Sequence, residues 1–381
     1  MGGEQVIRLA SVIHTFEAAF LAQYRDRLRP EHRRAIAAMK ACRTQASAKM
    51  QAACTQCDHR TLVPHSCGHR HCPHCQHHDS QQWLDRQLAR QVPAPYFLIT
   101  FTLPAQWRPL AWAHQRLVYE MLMRCAWETV RAFARNDRQL RGVPGAIAVL
   151  HTNTRALAFH PHVHLVMPAA AIDPERKQWR TKPQGGARGK GNTKAPYLFN
   201  HKALAKVFRA RMLAGLAHAA LPLPENSPTH WIVHCKSVGT GKPALVYLGR
   251  YLYRGVIREK DILACDGAQV RYRLRNASTG QFEQRTLPGP DFLWPVLQHV
   301  LPKGFRRARN FGFLHPNSRR LIALLHLVLK FDPVRATIDW IRARAPILCA
   351  CCGAVMTIVR TRIRSSDSTR TMTPIPIAGT R

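Results

Sequence analysis

Phe159-His160-Pro161-His162-Val163-His164-Leu165-Val166-Met167 reads as a β-strand, and its histidines decide what the fold is built to hold. Side chains alternate faces along a strand, so His162 and His164 project together while Val163 and Leu165 project into apolar packing. Paired imidazoles on one face of a rigid strand make a metal platform. Gly145 to His151 reads as the preceding strand, with Phe159 to Pro168 as its hairpin partner. The third ligand stays open between two residues: His160, which shares the face on a regular strand although Pro161 bends it, and His151 on the partner strand.

About eighty residues downstream, Tyr247-Leu248-Gly249-Arg250-Tyr251 falls in a helix predicted over Ala244 to Tyr253. The four-residue spacing puts both phenols on one face, one turn apart. Arg250 and Arg254 flank that face with guanidinium groups suited to phosphate. A phenol, with a pKa near 10, is a poor nucleophile near neutrality, so its attack on a phosphodiester needs a metal that polarises the phosphate.

Composition fixes the partner class. The 381 residues carry 57 Lys plus Arg against 21 Asp plus Glu, a net charge of +36. A self-repelling surface of that size fits a polyanion, and nucleic acid is the expected partner. No run of 18 or more apolar residues offers a membrane span, and the N-terminus carries no secretory or myristoylation pattern, so a soluble, cytoplasmic, nucleoid-associated protein is expected.

The twelve cysteines do not form a disulfide framework, because six of them lie between Cys42 and Cys75. Cys54-x2-Cys57 and Cys72-x2-Cys75 stand fourteen residues apart, the spacing of a structural zinc site, with Cys67 and His71 able to replace a ligand or begin a second site. Four protein ligands leave no open position, so the zinc is expected to support folding and DNA contact rather than catalysis. Cys349-x2-Cys352 is a lone knuckle that cannot close a site by itself.

The expected fold class is α+β: a small zinc-binding module joined to a domain with a central antiparallel sheet flanked by helices. Residues 1–45 form a helical segment carrying Phe16, Phe20, Tyr24, Ile36 and Met39 at helical spacing, and residues 46–80 form the zinc module. Residues 90–340 form the main domain, 341–364 a C-terminal segment with its knuckle, and 365–381 a disordered basic tail. Within the main domain a strand is expected at Tyr96 to Leu103, closed by Pro104. A helix over roughly 110 to 135 is expected to bury Trp112, Leu117, Met121 and Trp127, and a basic loop is expected over 175 to 194.

Together, the His-hydrophobic-His strand and the Tyr-x3-Tyr helix resemble the HUH superfamily of single-strand endonucleases. Further segments narrow the resemblance: Ser66 to Gln76, Thr100-Phe101-Thr102-Leu103-Pro104, Leu150-His151-Thr152, His160 to His164, Val207-Phe208-Arg209 and Tyr247 to Tyr251. Over roughly residues 15 to 355, and in the same order, the chain resembles rolling-circle insertion-sequence transposases with an N-terminal zinc-binding domain, the insertion-sequence ninety-one type. The resemblance implies an HUH-type main domain and a DNA transposase that nicks and rejoins single-stranded DNA at the ends of a mobile element. It does so through a 5′-phosphotyrosine and a free 3′-hydroxyl, with transfer to target DNA.

Carried over, Tyr247 and Tyr251 match the nucleophiles and His162 and His164 the ligands of a catalytic Mg2+ or Mn2+, beside the structural Zn2+. No ATP is implied, since the phosphotyrosine conserves bond energy. In agreement, Gly239-Thr240-Gly241-Lys242 has Pro243 where a phosphate-binding loop needs Ser or Thr. A replication initiator or relaxase would share this chemistry, while a non-catalytic zinc-dependent DNA-binding protein would keep the charge and the zinc without cleavage.

Overall fold

A computed structural model describes residues 6–73, 75, 77–182, 198–253, 255–276, 279–333 and 346–363. Arg254, most of the basic 175–194 stretch and the 365–381 tail fall outside these residues. In chain order the elements begin with α1 (Leu9–Gln23), α2 (Pro30–Ala41), β1 (Lys49–Cys54), β2 (Arg60–Pro64), α3 (His77–Leu88) and β3 (Tyr96–Thr102). Next come α4 (Arg108–Ala113), α5 (Gln115–Asn136), β4 (Val143–Asn153), β5 (Phe159–Pro168), β6 (Ala170–Asp173) and β7 (Gln178–Thr181). The second half contains α6 (His201–His218), β8 (Val233–Ser237), α7 (Lys242–Tyr253), β9 (Ile262–Cys265), β10 (Gln269–Arg275), β11 (Phe282–Pro288) and α8 (Gly289–Leu297). It closes with β12 (Ala308–Gly312), α9 (Arg319–Val328), β13 (Ile347–Leu348) and β14 (Val355–Ile363).

The α+β expectation holds. A seven-stranded antiparallel sheet runs in the order β7-β6-β4-β5-β3-β8, with β12 paired to β4 beside this path. Its apolar residues obey the two-residue period. Ala146, Ala148, Leu150, Val163, Leu165 and Met167 face α5 and α6, whereas Ile147, Val149 and Val166 face α3, α7 and α9. Helix α5 buries Val118, Met121, Leu122, Cys125, Ala126 and Val130 on one stripe. Leu117, expected on that stripe, is instead 42% exposed, because it falls one position away from the buried Val118. The expected single helix is broken at His114 into α4 and α5.

Asn200 caps α6 by accepting hydrogen bonds from the backbone N–H groups of Lys202 (2.9 Å) and Ala203 (3.1 Å). The Gly239-Thr240-Gly241 segment is the turn from β8 into α7. Gly241 sits at φ +80°, and a Cβ there would fall 2.5 Å from the Tyr96 ring, so the glycine answers to packing rather than to phosphate.

Two smaller units flank the sheet. Helices α1, α2 and α8 enclose a second core with the β9-β10-β11 meander, built on Val12, Ile13, Phe16, Phe20, Ile36, Phe292 and Leu297. In the four-stranded sheet β13-β14-β1-β2, strands β1 and β2 from the expected zinc module pair with β14 and β13 from the C-terminal segment. Of the basic 175–194 stretch, residues 178–181 form β7 rather than loop. No helix of the described residues is long and apolar enough to cross a membrane.

Two histidines buried in the cores carry an acid liability. Burial lowers the pKa of both His32 and His299 to about 4. Neither ring is charged in the folded chain at pH 5, whereas the unfolded chain protonates them below about 6.5, so their contribution is intact above that pH and is lost as pH falls toward 4. Urea unfolding at pH 7.0 and 4.5 should show the stability falling, and His299→Gln should flatten the fall by about 2 kcal/mol. An unchanged slope in that variant would show that His299 titrates alike in both states.

Candidate active site and cysteine clusters

Strand register builds the histidine site. His151 on β4 lies directly opposite His162 on β5, and Val149 lies opposite His164. On the other side of β5, Thr100 of β3 lies opposite His164. His151, His162 and His164 therefore share the face that α7 covers, with one ring nitrogen of each lying within 4.8 Å of the others. Hydrogen bonds hold the His164 and His162 rings in place. His164 Nδ1 pairs with Thr100 Oγ1 at 2.9 Å, and His162 Nδ1 donates to the His160 carbonyl at 2.7 Å, which leaves the His162 Nε2 lone pair free.

Buried His151 Nε2 has no hydrogen-bond partner among the described residues. Burial also pushes all three rings toward the neutral form: His162 to about 4, His164 to about 3, and His151 well below the usual histidine range. Three neutral imidazoles, one with an orphaned nitrogen, fit a divalent cation.

His160 does not join them. Its Nδ1 accepts from Arg108 Nη2 at 2.7 Å, because the β5 backbone beginning at Phe159 turns this ring toward α4. His151, the alternative weighed above, takes the third place. Its sequence signal is present but depends on hairpin alignment, which carries an irregularity between His151 and Asn153.

Helix α7 docks through Leu245, Leu248 and Leu252 on its buried face. Gly249 lets it approach α3, where a Cβ would stand 3.3 Å from Trp83, and Ser80 Oγ donates to the Gly249 carbonyl at 3.1 Å. The opposite face presents the tyrosines. Tyr251 stacks on His151 with ring centroids 3.3 Å apart and planes 11° apart. Its hydroxyl donates to Asn153 Oδ1 and accepts from the Thr152 N–H at 3.3 Å. Arg307 lies over the other side of the phenol ring, 4.5 Å from its centroid.

Tyr247 is 51% exposed, with its ring 6.2 Å from those of both His151 and His164. Desolvation, and then the neighbouring Tyr251, raises its pKa. A cavity of about 590 Å³ opens over these groups, lined also by Arg155, Arg250, Arg258, Arg273, Arg275 and Arg307. Asp261 engages Arg258 and Arg273, each at 2.9 Å.

On the far side of Arg307 a larger cleft of about 1290 Å³ runs between α3, β12 and the 68–71 loop. Nine Arg or Lys side chains line it against two carboxylates, and Glu31 and Glu120 are already engaged by Arg34 and Arg309.

The cysteines do not assemble as the spacing suggested. Cys54 and Cys57 do not meet Cys72 and Cys75; instead one set is Cys42, Cys67, Cys72 and Cys75, and the other is Cys54, Cys57, Cys349 and Cys352. Cys67 is therefore a full member of the first set. His71 belongs to neither set, since its Nε2 accepts from the Leu301 N–H at 3.2 Å. Cys42, at the C-terminal end of α2, had no local motif to announce it. The lone C-terminal knuckle has the Cys54 knuckle as its counterpart.

A family described as "Transposase zinc-binding domain" matches residues 12–103, and one described as "Putative transposase" matches residues 145–321. The chain is 31% identical to "Putative transposase y4qJ" of Sinorhizobium fredii (strain NBRC 101917 / NGR234), over 80% of each chain. It is 29% identical to "Transposase for insertion sequence element IS801" of Pseudomonas savastanoi pv. phaseolicola, over 68% of this chain and 63% of that protein. The zinc-binding match encloses the first cysteine set entirely. Cys42→Ser should therefore release zinc and lower the thermal midpoint, while Cys235→Ser, outside both sets, should leave zinc content unchanged; metal analysis and a melting curve check this. Full zinc retention in Cys42→Ser would remove Cys42 from the ligand set.

Proposed function

The chain belongs to the transposases of the insertion-sequence ninety-one type, and from that premise we propose that it nicks and rejoins single-stranded DNA at the ends of a mobile element through a phosphotyrosine. The observation that carries this reading is the stack of Tyr251 on His151, inside a three-histidine cluster that also faces Tyr247. His151, His162 and His164 would hold a catalytic Mg2+ or Mn2+. When bound there, the ion polarises the scissile phosphate and stabilises the leaving oxygen.

The protein's own groups do the rest. Tyr251 or Tyr247 attacks phosphorus, the P–O3′ bond breaks, and the 3′ oxygen takes up a proton as the tyrosyl oxygen forms the 5′-phosphodiester. The Asn153 side-chain oxygen accepts a hydrogen bond from the Tyr251 hydroxyl and orients the phenol, while Arg307 lies over the ring that stacks on His151. Arg155 and Arg250 line the cavity mouth where the DNA backbone passes. Strand transfer runs the same exchange in reverse, with a 3′-hydroxyl as the attacking group. One phosphodiester is exchanged for another, so ATP has no role. On this reading the protein works on DNA in the bacterial cytoplasm, at the nucleoid.

Incubating the protein with labelled single-stranded DNA from the flanks of its own gene, plus Mg2+ or Mn2+, should yield a covalent adduct on a denaturing gel. Tyr247→Phe with Tyr251→Phe should abolish the adduct while leaving binding intact. An adduct that survives the double change would refute the nucleophiles, and none from folded, metal-loaded wild type would favour a zinc-dependent DNA-binding protein without catalysis.

Thr100 touches no substrate but fixes the His164 ring. Thr100→Val should weaken the divalent-ion requirement curve by about 10- to 100-fold, with cleavage restored at high metal. A curve superimposable on that of the wild type would mean that the Thr100 contact does not orient a ligand.

A further inference from the structure

The four-stranded sheet β13-β14-β1-β2 has almost no core of its own. Its buried apolar cluster consists of Ala52, Cys349 and Met356, with Cys54 and Cys57 packed against them. Val355, Val359 and Leu348 of the same sheet are exposed. A sheet this small needs another source of cohesion than hydrophobic burial.

The second cysteine set supplies it. Its Sγ atoms stand 3.5 Å apart for Cys54 and Cys352, 3.8 Å for Cys57 and Cys349, and 3.7 Å for Cys57 and Cys352. Four sulfurs around one zinc at 2.3 Å form a tetrahedron with edges of about 3.8 Å, so the spacing is that of a shared ion. The two turns also share a local device. The Gln56 N–H points at Cys54 Sγ and the Cys351 N–H at Cys349 Sγ, both at 3.4 Å, which is the donor arrangement that stabilises a thiolate. Around them the strands are already in register, Cys54 opposite Met356, and Thr55 donates twice to the Val355 carbonyl, at 3.3 Å from its N–H and 2.8 Å from its hydroxyl.

We infer that Cys54, Cys57, Cys349 and Cys352 hold a second zinc ion, which fastens the C-terminal strand to the N-terminal zinc-binding domain across the whole main domain. Two of its ligands lie outside the matched 12–103 region. The site depends on no step of the DNA chemistry, so its test stands apart from that of the nicking reaction.

Zinc is measured by atomic absorption on reduced, full-length protein. Wild type should hold two ions per chain. Cys349→Ser/Cys352→Ser, Cys54→Ser/Cys57→Ser, and the variant with all four changes should each hold one. Loss of both ions in the four-fold variant, or retention of the wild-type count after changing Cys349 and Cys352, would overturn the site. Where a variant precipitates, alkylation of the wild type decides. Cys351 and Cys352 are both exposed, but only Cys352 is a ligand. Mass mapping should find Cys351 modified at once, with Cys352 and Cys349 protected until a chelator is added. Cys352 reacting as fast as Cys351 in zinc-replete protein would count decisively against the inference.

Discussion

The pairing register of β4 with β5 is the constraint on which the site depends. It sets His151 opposite His162 and keeps the α7 side of the sheet to Ile147, Val149, Val166 and the three histidines. A slip of β5 by one residue would turn His162 and His164 into the apolar layer beneath α5 and α6 and bring Val163 and Leu165 up against the tyrosine helix. That layer, with Phe101, Phe208 and Trp107 fully buried, leaves no room for polar rings. Packing on one face thus enforces chemistry on the other.

Charge in this molecule is divided by depth. The surface carries a large excess of Arg and Lys, yet the three imidazoles at the centre of the site are held neutral, chiefly by burial. An imidazole that stays unprotonated keeps the lone pair a metal needs, whereas the guanidinium groups around it keep their charge for phosphate. Arg307 sits at the boundary. It accepts and donates within the sheet through its backbone and Leu150, spans the floor between the two cavities, and presses on Tyr251. An arginine tied down at that many points costs little further ordering when a polyanion arrives.

What could be read from the chain follows the range of each interaction. His162 and His164 are two residues apart, and Tyr247 and Tyr251 four, so strand and helix periodicity alone place each pair on one face. Strand β5 and helix α7 follow for the same reason, to within two residues. His151 needs a hairpin alignment, His160 was diverted by a contact with Arg108 on another element, and Leu117 missed the core by a single position. The cysteines mark the limit. A Cys-x2-Cys turn states that two thiolates lie together but not which other pair completes the set, and nothing local to Cys42 or Cys349 says where its partners are. The short strands β6, β7, β9 and β12 likewise gain their identity from neighbours that lie far along the chain.

The pairing of β1 with β14 also has a consequence in time. Cys54 and Cys352 are 298 residues apart, so a ribosome making this chain has released the first knuckle long before the second exists. The central sheet can form while β1 still has only β2 beside it, and the last strand among the described residues to emerge is the one that completes that small sheet. Closure over so long a loop is slow and comes late, and a chain truncated anywhere before residue 349 presents an open edge strand.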